Sequence, residues 1–216
     1  MRIYKINAAI TRIDFDTQQI LCRHFIRFQE YYESPKFRKK PFTLGEFREW
    51  HYKEYGAYTY EDKWSGFNVP GEVLNVFRMG LFDPLTTEEQ NILNKIPYTT
   101  YPIYLIGTYG NKQDSTLDHE ICHGLYYTDP DYKSEVDKLL ASQNLKALKK
   151  YLESKQGYCE EVLQDECHAY IATSEDILKD DKIEYPNIGE KLRNIKNKYF
   201  KEKIFKLVYD SENFGY

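Results

Sequence analysis

Residues 119–123 read His-Glu-Ile-Cys-His, two histidines four apart with a glutamate directly after the first. On a helix, side chains at i and i+4 share a face, so both imidazoles can reach one metal ion. Glu120, next to the first of them, can reach a water held at that ion. Such a donor set suits Zn²⁺, which accepts imidazole nitrogen and carboxylate oxygen and keeps an open position in catalytic sites. The chemistry this implies is hydrolysis by a metal-activated water, as in a zinc-dependent metallopeptidase. Two of the five histidines in the chain fall inside the motif. The competing reading is a helix carrying two ordinary surface or packing histidines.

A catalytic zinc site usually has three protein ligands and a water, so a third ligand is expected outside the motif. Residues 162–170, VLQDECHAY, offer the best one, Glu166. Glu166 shares a helical face with Val162 and Ala169, and a carboxylate among apolar neighbours is costly unless compensated. A metal ion compensates it, and so would a lysine, an arginine or a place at the edge of the face. His168 is the rival ligand. It lies two residues from Glu166, about 200° around the helix, so one helix does not easily aim both at one ion. Asp165 suits the role of acceptor for the far nitrogen of a ligand histidine. Glu160 and Glu161 stand where acidic residues serve a helix N-terminus. Tyr170, one turn beyond Glu166, is the preferred donor to a developing oxyanion, with Tyr126 and Tyr127 as alternatives; each could equally be a packing residue. Cys122 reads as core, because no basic partner is placed to activate it.

On these residues the chain resembles the zincin superfamily, and more narrowly its gluzincin-like branch. There, two histidines of HExxH and a glutamate from a later helix hold the zinc. His119, Glu120 and His123 match the first motif, and Glu166 matches the later glutamate. The resemblance covers the helix pair and the strand before it. The extended metzincin motif is absent, since Gly124 follows His123 directly and no third histidine stands at the needed spacing. The resemblance implies that zinc lowers the pKa of a water and polarises the scissile carbonyl. Glu120 would then take the water's proton and pass it to the leaving amine.

These residues need elements to place them. Residues 98–109, YTTYPIYLIGTY, are β-branched and aromatic, and Pro102 suggests an edge strand. An open edge just before the metal-binding helix could take up an extended peptide as an added strand. Asp114 or Thr116 could cap that helix. Further upstream, residues 3–13 and 20–28 read as strands joined by a turn at 14–17, although the second could instead begin a helix running to Tyr32. Thr43 with Glu46 forms a capping box for a helix ending at Gly56. Residues 64–68 read as an ordered loop, either packed over the core or forming one wall of a substrate cleft. Pro70-Gly71 starts a short helix, and Thr86 or Thr87 caps another that Pro97 ends. Helices are also expected near Asp131, at 145–157, at 160–174 and at 188–207.

The fold expected is α+β: a small sheet in the N-terminal half, with an edge strand before the HExxH helix, and a mostly helical C-terminal half. With 216 residues, one zincin-like domain is the simplest organisation, with room for a small N-terminal subdomain, 1–97, and a metal-site region, 98–216. Thirty per cent charged and 41% hydrophobic residues describe a globular chain. A formal net charge of −4 argues against nucleic acid as the main partner. Without a run of 18 apolar residues, no membrane span is expected. Four cysteines without C-x-x-C spacing, and a start with no signal-peptide core, suggest a reducing, cytoplasmic setting. The expected partner is a peptide or protein substrate. The alternatives are a metal-stabilised binding module without turnover and an interaction protein in which HEICH is coincidental.

Overall fold

The computed structural model describes residues 1–111, 115–156, 158–180, 182–185 and 187–200. The chain opens with β1 (Arg2–Lys5) and β2 (Ile10–Phe15), followed by α1 (Gln18–Glu33), α2 (Leu44–Tyr55) and α3 (Tyr60–Lys63). Next come β3 (Phe67–Pro70), α4 (Gly71–Arg78), α5 (Thr87–Lys95) and β4 (Tyr104–Tyr109). The remainder is helical: α6 (Ser115–Thr128), α7 (Pro130–Ala141), α8 (Lys146–Tyr151), a π-helical turn (Leu152–Gln156), a 3-10 turn (Glu160–Val162), α9 (Leu163–Thr173), α10 (Glu175–Asp180) and α11 (Ile188–Tyr199). The fold is α+β, as expected. Among the described residues no helix is long and apolar enough to cross a membrane.

The sheet order is β1-β2-β4-β3, with β2 and β4 parallel and the outer pairs antiparallel. This corrects the expected edge. The strand before the HExxH helix is β4, which lies between β2 and β3, and Pro102 falls outside it. The edge nearest the motif belongs to β3, whose first two residues, Phe67 and Asn68, fall in the stretch read as a loop. The sheet thus draws strands from both sides of residue 97.

Two other expectations are corrected near the N-terminus. The first hairpin turns before Ile10, not after Phe15: the Asn7 side chain accepts hydrogen bonds from the amides of Ala9 and Ile10 and bends the chain there. Residues 20–28 are helical, the alternative weighed for them. Leu21, Phe25 and Phe28 bury one face at helical spacing, and Thr17 caps the start by accepting from the Ile20 amide. The capping boxes at Thr43/Glu46 and Thr86/Glu89 are both present. Asp114 and residues 201–207 of the expected last helix lie outside the described residues.

The sheet separates two apolar cores. One gathers Ile13, Phe15, Leu105, Phe67 and Val69 with Leu21, Phe25 and Phe28 of α1. The other gathers Ile10, Tyr104 and Ile106 with Ile121, Cys122 and Leu125 of α6 and with Leu163, Cys167 and Ile171 of α9. Gly124 allows α6 to lie this close to the sheet: a Cβ there would stand 2.8 Å from Ile10 Cδ1 and 3.3 Å from Tyr104 Cδ1. Ile10 is fully buried and has nowhere to retreat. Gly124→Val should therefore lower the unfolding free energy by about 1–3 kcal/mol through overpacking. Urea denaturation checks this, and an unchanged midpoint would mean that the gap has slack.

Candidate metal centre

The i, i+4 spacing on α6 puts His119 and His123 on the face that packs against α9. Glu166 meets them from α9, and ligating atoms of the three lie within 4.8 Å of one another. His119 Nε2 is 3.7 Å from Glu166 Oε2, and His123 Nε2 is 3.6 Å from Glu166 Oε1. These separations are too long for hydrogen bonds. His123 is 2% exposed and Glu166 3%. His123 Nε2 and Glu166 Oε2 are buried with no hydrogen-bond partner. A buried polar atom left unpaired costs about 1–3 kcal/mol. A metal ion among the three residues would satisfy both atoms, so the residues fit an ion on this structure's own terms.

The far side of each imidazole is tied down by α9, which fixes how the rings present themselves. The Thr173 hydroxyl donates to the Ala169 carbonyl at 2.7 Å, so towards His119 Nδ1, 3.0 Å away, it acts as acceptor. His119 therefore carries its proton on Nδ1 and leaves Nε2 as a lone pair facing Glu166. His123 Nδ1 lies 2.9 Å from Asp165 Oδ2, and its Nε2 faces Glu166 in the same way. Asp165 thus takes the position expected of it, as acceptor to a ligand histidine. Thr173 had no signal in the sequence, because any hydroxyl one turn along a helix can play this part.

His168, the rival ligand, is turned away. Its Nε2 meets the Tyr132 hydroxyl at 2.9 Å, and its Nδ1 meets Asp165 Oδ1 at 3.1 Å. Burial would lower its pKa, but the hydrogen bond to Asp165 and neighbouring groups raise it to about 9. Asp165 is itself pushed up by burial, yet the charges and hydrogen bonds of His123 and His168 hold its carboxyl well below the ordinary range. Burial likewise works against a charge on His123, but Asp165 and Glu166 outweigh it and raise its pKa well above normal.

Glu120 is 6% exposed and lies beside the cluster. Its Oε2 accepts from Asn68 Nδ2 at 2.6 Å, and Asn68 Oδ1 accepts from the Tyr104 hydroxyl. Burial raises the Glu120 pKa, and the nearby His119 and His123 offset part of the rise. Gly66 leaves room for Oε1, since a Cβ there would stand only 2.5 Å from it. Asn68 and Gly66 sit in the segment whose cleft-wall role was one of two readings. The neighbouring residues Trp64, Ser65 and Gly66 do line a cleft of about 380 Å³ together with His119, Glu120 and Tyr170. Tyr170 packs edge-on against the His119 ring, with centroids 5.0 Å apart. Tyr126 and Tyr127 are engaged elsewhere, with Asp137 and Glu72 respectively. Cys122 is buried in the core, and all four cysteines are free.

In comparisons with protein-family models, curated proteins and solved structures, nothing matches this chain. Its site is therefore read from its own geometry. Asp165→Asn removes the charge that orients His123 and should weaken metal binding about 10–100-fold. Competition titration against a chromophoric chelator measures this, and unchanged affinity would mean that Asp165 serves only His168.

Proposed function

We propose that this chain is a zinc-dependent hydrolase of the metallopeptidase type, cleaving a peptide or amide bond. The observation that carries the proposal is the convergence of two imidazole Nε2 atoms and one carboxylate, two of whose polar atoms are buried without hydrogen-bond partners, directly beside Glu120 and a cleft. Two histidines and a glutamate are a known catalytic zinc set. Ligands at about 2.0–2.2 Å from one tetrahedral ion lie about 3.4 Å apart; here the two Nε2 atoms stand 3.7 and 3.6 Å from different oxygens of Glu166, and one ligand atom from each residue falls within 4.8 Å of the others, so a bound ion would draw the set together. The zincin-like resemblance rests on the same residues. A cytoplasmic setting belongs to the same proposal and draws on the four free cysteines.

A bound zinc ion supplies Lewis acidity, lowering the pKa of a water and polarising a carbonyl. The chain's own groups do the rest. Glu120 accepts a proton from the water and returns it to the leaving nitrogen, and its raised pKa makes it a better base than an exposed glutamate. Asn68 holds the carboxylate in place through Oε2, leaving Oε1 on the Gly66 side. Tyr170, on the cleft wall, is the donor proposed for the oxyanion. An extended substrate would meet the sheet at the entry to β3, where part of the backbone is already engaged. The Asn68 amide already donates to Gln29 Oε1, and the Trp64 carbonyl already accepts from Gln18. Ser65 and Gly66, just before β3, line the cleft and are the residues an added strand would meet there.

The burial of Glu120 favours one second reading, a metal-stabilised binding module in which this carboxylate is a structural acceptor for Asn68. Glu120→Gln separates the two. For a hydrolase, zinc content stays unchanged while turnover of a cleaved library peptide falls by about 10²–10⁴-fold. Wild-type protein with zinc bound that cleaves nothing across a peptide and ester library would leave the binding module standing.

A further inference from the structure

A second cavity, of about 540 Å³, opens beside the metal cleft, and Lys63, Trp64 and Tyr158 line both. Its walls are aromatic: Trp50, Tyr55, Tyr60, Trp64 and Tyr158. Glu30 and Glu33 of α1 also line it, and the exposed Glu54 joins them. Glu30 is 8% exposed and accepts from the Tyr60 hydroxyl at 2.7 Å. Against these three carboxylates the cavity wall sets one ammonium, Lys63, which stands over the Tyr55 ring at 4.8 Å from its centroid. No lysine or arginine among the described residues forms an ion pair with Glu30 or Glu33. The Trp64 indole N–H, on the wall between the two cavities, is buried without an acceptor.

We propose that this cavity is a recognition pocket for an organic cation of the substrate, a guanidinium or ammonium group, held between the Glu30 and Glu33 carboxylates and the aromatic walls. The inference rests on the hydrolase reading only for what carries the cation, a peptide whose scissile bond lies in the adjoining cleft. Aromatic faces attract cations most strongly where water is excluded. The walls alone lack charge, and the two carboxyls can supply it: burial, with Glu166, raises the Glu33 pKa well above normal, partly offset by the hydrogen bond from Gln29, and an entering cation would favour its ionised form. Burial raises the Glu30 pKa to about 7, offset in part by the Tyr60 and Ser34 hydrogen bonds, and an entering cation would favour its ionised form.

The pocket carries its own reporter. The chain has two tryptophans, Trp50 and Trp64, and both line this cavity. N-acetyl-arginine amide, its norleucine counterpart and alanine amide would be titrated into the zinc-loaded full chain while tryptophan fluorescence is followed. The arginine derivative should bind at least about 10-fold more tightly than norleucine, a difference of about 1.4 kcal/mol. Glu30→Gln and Glu33→Gln, both of which keep the side-chain shape, should erase that preference without loss of zinc. Tighter binding of alanine amide than of the arginine derivative would support the pocket with the α-ammonium as its ligand. Equal binding of arginine and norleucine, or a preference that survives both substitutions, would overturn it. The two readings fail separately: cation binding without any peptide cleavage sinks the hydrolase and leaves the pocket, and cleavage indifferent to charge does the reverse.

Discussion

Two polar atoms buried without a hydrogen-bond partner, His123 Nε2 and Glu166 Oε2, are the constraint on which the rest of this structure turns. A folded chain has little reason to bury an imidazole nitrogen and a carboxylate oxygen this close without a hydrogen bond unless a cation joins them, either a proton on His123 or a metal ion in its place. The surroundings look arranged to keep them so. Thr173 and Asp165 occupy the Nδ1 atoms of the two histidines, which leaves both Nε2 atoms turned towards Glu166. Asp165 in turn is braced by His168, and His168 by Tyr132 of α7. The packing of α6 on α9 is thus a chain of polar contacts laid inside an apolar core.

The sheet contributes from the other side. Gly124 lets α6 settle onto β2 and β4, and Gly66 lets β3 approach Glu120. Asn68 ties three parts of the molecule together: its side chain reaches Glu120 and Tyr104, while its amide is held by Gln29 of α1. Through this residue the helix on the far face of the sheet is coupled to the proposed base. The same helix sends Glu30 and Glu33 into the cavity beside the metal cleft. One strand end therefore separates the region proposed for bond cleavage from the region proposed for recognition.

Much of the metal cluster was legible in the sequence because its logic is local. His119 and His123 share a helix face by spacing alone, and Glu166 stood out as a carboxylate on an apolar face. His168 had to be weighed only because imidazole is a good ligand; its direction depends on Tyr132, 36 residues away. What escaped notice depends on tertiary contacts. The β4 segment carries a proline, so it read as an edge, but Pro102 lies before the paired residues and β3 pairs along the outer side. β3 itself is four residues long and follows an aromatic, turn-rich stretch, so periodicity gave no strand signal. The early hairpin was displaced because Asp14–Thr17 looked like turn chemistry, whereas Asn7 makes the turn and Asp14 is a buried partner of Arg12 and Arg2.

The most direct test of the account is the metal itself. X-ray absorption spectroscopy and metal analysis of the full chain, purified without added metal, should find about one zinc per chain with nitrogen and oxygen ligands at about 2.0–2.2 Å and no sulfur. In Glu166→Ala the ion should be lost or its shell should change, while His168→Ala should leave both content and shell intact. A chain that holds no metal and takes up none near neutral pH, or that holds it equally well without Glu166, would contradict the account.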